Sequence, residues 1–235
     1  MRGFLVRVRD LLRLVLMGRA PRMWRAVTER LYSDSTSVGL RRDLGASFAA
    51  PGAKRPVQVR PIARGDDLSC LDVRAPGLSD DDVYESLGQW RLLESRIRTC
   101  YVAVGADGEL CYMQWLILSS ENDLVRAFFG NLYPRLAPDE ALLEGAYTPA
   151  PYRGQGIMAN AMAQIAERAG ALGARWVVTF VDEASVASLK GCARAGFAPY
   201  VRRHEAFRLF WRRVWFTSLT PAPAVTREAL APERG

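Results

Sequence analysis

Histidine is almost missing from this chain: its 235 residues include one, His204. That excludes multi-histidine metal sites and histidine-pair catalysis. Lysine is nearly as scarce, with only Lys54 and Lys190, so the positive charge is carried by arginine. Four cysteines (Cys70, Cys100, Cys111 and Cys192) are scattered with no C-x-x-C pair, which removes zinc-ribbon and thioredoxin-type chemistry. A chain of this size can build a core without disulfides, and such dispersed thiols suit a reducing cytoplasm. No apolar run reaches the roughly 18–20 residues of a membrane-spanning helix. There is no Walker G-x-x-x-x-G-K-[ST] loop, no G-x-G-x-x-G fingerprint and no internal repeat.

What is present is unevenly placed. The net charge is +7. The first 54 residues carry 11 basic and 4 acidic side chains, and the rest are balanced at 21 of each. Nucleic-acid binding wants a basic surface on the folded domain, so that class of partner is not expected. In residues 4–17, Phe4, Leu5, Val8, Leu11, Leu12, Val15 and Leu16 share one helical face, with Arg9, Asp10 and Arg13 opposite. A second basic helix is expected over 21–32. Residues 1–43 therefore read as a basic amphipathic helical appendage. Residues 1–32 have two open readings, a hairpin docked on the main domain or a second subunit, and an interfacial helix on anionic lipid. The first gives a cytoplasmic protein, the second a membrane-peripheral one. A cleaved signal peptide is disfavoured, because Arg13 interrupts the apolar stretch and no small-x-small site follows.

Residues 44–56 are small and Gly/Pro-bearing, and read as a linker. The pattern then alternates between strand and helix: a strand at 57–62, a helix from Ser79 to about Arg98 with acidic first turn, and a hairpin of 100–104 and 110–118 across Ala-Asp-Gly-Glu. Residues 119–139 form an aromatic insertion with one short helix. A strand at 142–148, a helix at 156–172, a strand at 176–181, a helix at 184–195 and a last strand at 206–215 follow. Residues 57–220 thus make the main α/β domain, and 221–235 a loose Pro/Ala-rich tail.

The chemistry lies at the turn from strand to helix. Tyr152-Arg153-Gly154-Gln155-Gly156-Ile157 carries two glycines where backbone N–H groups can converge, and the helix start adds free donors and a positive dipole end. Such a corner suits phosphate or diphosphate, with Arg153 as a cationic contact. The segment resembles the coenzyme A loop, [QR]-x-x-G-x-[GA], of the GCN5-related N-acetyltransferase superfamily. Val57-Gln-Val-Arg-Pro-Ile-Ala-Arg-Gly-Asp-Asp-Leu is similar to that superfamily's opening strand and helix, and 185–197 to its second motif, N-x-x-S-x-x-x-Y-x-x-x-G-F. The departures are Pro151 at the Gln/Arg position in the frame starting there, or Met158 at the last small position in the frame starting at Arg153, together with Ser185 where Asn is common and Cys192 where a tyrosine often protonates the leaving thiolate.

The resemblance implies a mixed, mostly antiparallel central sheet flanked by helices, here an α/β (α+β) fold with an extra N-terminal helical segment. It also implies an acyl-CoA-dependent N-acyltransferase, acetyl by default, in which an amine attacks the thioester directly. The co-substrate is acetyl-CoA or another acyl-CoA, no metal is needed, and the acceptor is a small-molecule or peptide amine. Pantetheine would pair with the backbone of Ala146, Tyr147 and Thr148. Phosphates would sit on Arg153, Gly154, Gln155, Gly156, Ile157 and Met158, with Ser188 beside them. Period two puts Glu140, Leu142, Glu144, Ala146 and Thr148 on one strand face. Glu144 is the first choice of general base, with Glu140 behind it, and Cys192 the candidate thiol acid. Phe128, Phe129, Tyr133 and Trp115 are candidate walls of an acceptor or acyl pocket. Two other readings stay open: an idle member that binds acyl-CoA or scaffolds a complex, and a long-chain N-acyltransferase.

Overall fold

The computed structural model describes residues 19–219. The expected helix over 4–17 and tail over 221–235 lie outside the described residues. Among the described residues eight strands form a single sheet: β1 (Tyr32–Asp43), β2 (Val57–Pro61), β3 (Cys100–Gly105), β4 (Leu110–Leu118), β5 (Glu140–Tyr147), β6 (Trp176–Asp182), β7 (Ala198–Arg208) and β8 (Trp211–Ser218). Their spatial order is β2-β3-β4-β5-β6-β1-β7-β8. Every neighbouring pair is antiparallel except β5 and β6. Pro61 can end β2 because β2 is an edge strand, where one missing N–H costs no ladder bond.

Among the described residues five α-helices accompany the sheet: α1 (Ala20–Leu31), α2 (Asp80–Leu93), α3 (Asn122–Phe129), α4 (Ile157–Ala171) and α5 (Val186–Arg194). α2 starts where its sequence says it should. The Ser79 hydroxyl accepts from the Asp82 N–H at 3.1 Å while the Asp82 carboxylate accepts from the Ser79 N–H at 3.2 Å, a capping box. Such a cap contributes about 1 kcal/mol. The helix ends at Leu93, five residues short of the expected Arg98.

The sheet divides the core in two. One face, with Tyr112, Leu116, Ala141, Leu143 and Val177, packs on α4 through Ile157, Ala161, Met162, Ile165 and Ala166, and on α5 through Cys192. The many alanines on α4 let its backbone lie close to the strands. The other face, with Val102, Met113, Trp115, Ile117, Leu142, Tyr147 and Val178, meets Leu92 of α2 and Val125 of α3. A small third cluster joins Met23 of α1 to Val83 and Leu87 of α2.

Two sequence expectations need correction. Residues 1–43 are not all a helical appendage: Tyr32–Asp43 is a strand seated between β6 and β7, antiparallel to both. Its polar Ser/Asp/Thr half hides the alternation, and Val38 and Leu40 become buried only once β6 and β7 flank them. Arg42, 3% exposed, fixes β1 to α4 by donating to the Ala163 carbonyl at 3.2 Å and pairing with Glu167. α1 is docked as well, with Arg19 donating to the Leu78 carbonyl at 2.9 Å and pairing with Asp80 at the start of α2. The expected linker 44–56 packs onto the domain too, through Leu44, Phe48 and Ala53. The second correction concerns the last strand, which is a hairpin of β7 and β8. Its turn is Leu209-Phe210, both at positive φ (50° and 69°), and neither is a residue type that signals a turn.

Candidate active site

The site begins where two parallel strands part. β5 and β6 pair only over Glu140–Trp176, Ala141–Val177 and Leu142–Val178. Beyond Leu142 the strands separate, and main-chain groups of β5 are left facing the gap. On its other side β5 stays paired with β4, but Met113 opposes Tyr147 and Trp115 opposes Glu144, so β5 carries an extra residue, a bulge. Gly145 makes this possible. Its φ is +66°, and a Cβ there would lie 2.7 Å from Leu92 Cδ1 and 2.9 Å from Trp115 Cε3.

The bulge corrects the expected single face. Leu142 and Tyr147 both pack in the α2/α3 cluster, an odd separation that strict alternation forbids. Glu144 therefore does not share a face with Ala146 and Thr148 as period two implied. Ala146 is exposed, and both it and Thr148 line a cleft on the gap.

That cleft, about 840 Å³, runs from the bulge to the start of α4 and along α5. Gly154, Gly156, Ile157 and Met158 line it, as do Ser188 and Cys192. Gly154 and Gly156 adopt φ of +74° and +77°, and no atom stands within 4 Å of a Cβ built on Gly154. Backbone conformation, rather than crowding, is what requires glycine here. No side chain caps α4 at Gly156, so its first-turn N–H groups have no side-chain acceptor at this end of the cleft. The segment expected as a linker braces this corner. The Lys54 N–H donates to the Gln155 carbonyl at 2.9 Å, and Asn160 Nδ2 donates to the Pro51 carbonyl at 2.8 Å.

Several expected contacts sit differently. Arg153 turns away from the glycine corner to the carboxylates of α2: its Nη2 lies 2.9 Å from Asp82 and 3.5 Å from Glu85, and its Nε donates to the Thr148 carbonyl. Arg153 still lines this cleft, and α5 adds two further cations to it, Lys190 and Arg194. Gln155 folds back, donating to the Pro151 carbonyl. Ser188 accepts from Ser185 at 2.9 Å. The Tyr147 side chain is buried on the opposite face, where its hydroxyl donates to the Cys70 carbonyl. Cys192 is fully buried with its thiol 3.8 Å from Met162 Sδ, and burial pushes it up to about 12. Glu140 lines neither this cleft nor the next, and its carboxylate accepts from the Ala137 N–H at 2.9 Å.

A second cleft of about 880 Å³ opens on the other side of β5. Leu92, Ile97, Leu124, Phe128 and Phe129 give it apolar walls, and Arg30, Arg91 and Arg96 contribute charge. The two clefts share Asp81, Glu85, Gln89, Glu144 and Gly145. Glu144 thus stands at their junction. Burial raises its carboxyl above the ordinary carboxylate value, and the Tyr133 hydroxyl and the Arg203 guanidinium pull it part of the way back. Arg203 in turn lies over the Tyr133 and Phe180 rings at 5.4 and 5.1 Å. Glu85 is raised by burial as well, against the pull of Arg153.

Of the residues singled out from sequence, Glu144, Phe128 and Phe129 line the second cleft, and the Tyr133 hydroxyl meets Glu144 without lining either cleft. Trp115 lies in the core against Gly145. Sequence reasoning missed Glu85, Gln89, Gln114, Lys190, Arg194 and Arg203. No motif could have found Arg203, which comes from β7 and reaches Glu144 only through the strand order. Lys190 and Arg194 were findable, since they recur at i and i+4 on the helix whose first turns hold Ser188. Asp182 lines the donor cleft and accepts from the Ala184 N–H at 2.8 Å, while Glu183 pairs with Arg202 at 2.9 Å. His204 is remote, stacked on Trp215. Among the described residues there is no cluster of three or more His, Cys, Asp or Glu able to hold a metal. No helix among them is long and apolar enough to cross a membrane.

No family model and no curated protein sequence matches this chain. Solved structures do. A GCN5-related N-acetyltransferase from Sphaerobacter thermophilus superposes with a TM-score of 0.50 at 15% identity, over 85% of this chain and 57% of that one. A GNAT-family acetyltransferase from Colwellia psychrerythraea gives 0.48 at 15% identity, over 79% and 61%. A tandem GNAT protein from the clavulanic acid biosynthesis pathway gives 0.44 at 17%, over 87% and 60%. The chain spans about three fifths of the length of these structures. At such identities the likeness speaks for architecture, and the Sphaerobacter superposition carries it: this chain has the fold of the GCN5-related N-acetyltransferases.

Proposed function

We propose that the protein is an acyl-CoA-dependent N-acyltransferase, with acetyl-CoA the default donor and a primary amine the acceptor. One observation carries this reading: two clefts flanking β5 meet at the partly buried Glu144 carboxylate, and one of them ends in the left-handed Gly154/Gly156 corner at a helix start. A donor with a diphosphate at one end and a thioester at the other needs such a long, one-sided cleft. An amine entering from the other side meets it at Glu144.

The chain's residues divide the work. N–H groups of the Gly154–Met158 turn and the start of α4 hold phosphate oxygens, with Lys190 and Arg194 adding charge. The β5 main chain beyond the bulge holds the pantetheine arm as an added strand, and an N–H near Tyr147 polarises the thioester carbonyl. Glu144, with its raised proton affinity, takes the proton of the incoming ammonium or of the attacking nitrogen. The nitrogen lone pair forms the C–N bond, the C–S bond breaks, and the electrons leave on sulfur. A thiol held up to about 12 is poorly matched to that sulfur. We therefore assign the leaving group's proton to water in the open cleft and Cys192 to packing against Met162.

The acceptor cleft is mainly apolar between its charged ends, which favours an amine on a hydrophobic body. The experiment is thiol release from acetyl-CoA across a panel of amines, alongside calorimetric titration of coenzyme A. Binding with amine-dependent thiol release supports the proposal. Absence of binding contradicts it, and binding without turnover over a broad panel favours the idle, acyl-CoA-sensing alternative.

A further inference from the structure

Gln114 lies on β4 opposite the β5 bulge, between the Met113–Tyr147 and Trp115–Glu144 pairs. By period two its side chain projects on the face of Tyr112 and Leu116, towards α4, where it forms part of the donor cleft wall. It is 0% exposed. One end of the amide is fixed, because the Tyr112 hydroxyl donates to Oε1 at 2.8 Å. The other end is not: Nε2 has no acceptor among the described residues. Exchanging the amide's oxygen and nitrogen would strip the Tyr112 hydroxyl of the acceptor it has, so the donor end is the one left without a partner.

A buried N–H donor without a partner is costly, and leucine or methionine would fill this space without that cost. The nearby wall is otherwise largely apolar, with Ile157, Met162 and Cys192, and the hydroxyl-bearing Thr179 reaches it from β6. The position relative to the bulge matters. In the acyltransferase reading, a thioester polarised by the β5 main chain near Tyr147 lies across from β4, the strand on which Gln114 lines the cleft. What complements an unpaired amide NH2 in a largely apolar recess is an acceptor oxygen on a short chain.

Building on the acyltransferase reading, we propose that Gln114 Nε2 binds an oxygen on the donor's acyl chain beyond the thioester, so that the enzyme selects a short hydroxy- or oxo-acyl thioester over the saturated one of equal length. Tyr112 is the positioning residue that aims the amide.

The test compares 3-hydroxybutyryl-CoA with butyryl-CoA on the full chain, by calorimetric affinity and by kcat/KM with one amine. Free coenzyme A serves as the reference titration for every variant. A site built to hydrogen-bond an oxygen discriminates strongly against the analogue lacking it, and a ratio of at least about 10 in favour of the hydroxy donor is expected. Gln114→Met should bring the ratio close to one. Tyr112→Phe keeps the amide but frees its orientation, and should lower the ratio by a smaller factor, which guards against a poorly folded Gln114→Met. Equal handling of the two donors by the wild type overturns the proposal, as does a ratio that survives Gln114→Met. A loss in Gln114→Met that is uniform across acetyl, butyryl and hydroxybutyryl donors also overturns it, since the amide would then serve the common carbonyl. Failure of free coenzyme A to bind the wild type is a separate result, which removes the acyltransferase reading itself.

Discussion

The two clefts are built in different ways. The donor cleft is drawn mainly from one stretch of chain, from Glu144 to Arg194, in which strand, glycine turn, helix, strand and helix follow one another. The acceptor cleft gathers α1, α2 and α3 around the β5 bulge, with residues from Arg30 to Gly145. The carboxylate they share is tuned from further away still, by Arg203 on β7. A contiguous site leaves a motif, because its geometry depends on local backbone. A site assembled by topology leaves none, because its residues become neighbours only after the sheet has formed. Changes on one side should therefore leave the other intact, and the junction alone should couple them.

The largest expected effect is at the junction. Glu144→Gln removes the base while keeping the side chain's size, and kcat/KM should fall about 10²–10⁴-fold, as for loss of a positioned proton acceptor. Coenzyme A affinity should change little, which titration checks. Next comes the acceptor wall. Phe128→Ser withdraws a large apolar surface, worth roughly 1.5–3 kcal/mol when fully buried, so KM for a hydrophobic amine should rise by about tenfold or more. KM for a small polar amine and for the donor should stay near wild type. If donor affinity falls equally, the two clefts are not separate.

The smallest effect is on pH dependence. Tyr133 favours the ionised form of Glu144, so Tyr133→Phe should move the acidic limb of the kcat/KM profile upward. The wild-type limb should already lie above the ordinary carboxylate value, and Glu144→Gln should abolish it. The sign for stability follows. A carboxyl whose proton affinity is raised on folding contributes most below its unfolded value near 4.5, and that contribution declines as pH rises through the folded value. Thermal melts of the wild type and Glu144→Gln across that window should converge at low pH and diverge above it, the Gln variant being the more stable. A wild-type limb at or below the ordinary range would contradict this account of the junction.

How much of this was legible in the sequence follows the same division. Helical spacing from Ile157 to Ala169 gave α4, the Ala-Asp-Gly-Glu turn marked the β3–β4 hairpin, and the glycine pair marked the donor corner. β1 was hidden because its residues look polar until two strands flank them. The β7–β8 turn was hidden because Leu209 and Phe210 take left-handed backbone without the residue types that announce it. The bulge had one visible sign, Gly145, in a strand otherwise read as alternating, and missing it placed Ala146 and Thr148 on the face of Glu144. Arg153, the obvious phosphate ligand from sequence, was claimed by Asp82 and Glu85 across the cleft, a competition that only the fold sets up.

The most direct measurement is a calorimetric titration of coenzyme A into the wild type and into the Gly154→Val/Gly156→Val double variant. Forcing a β-branched residue into left-handed backbone costs roughly 1–2 kcal/mol at each position, and the reshaped turn no longer presents its N–H groups together. The account predicts that the wild type binds and that the folded double variant loses affinity by at least about tenfold. Equal affinity in the two proteins would contradict it.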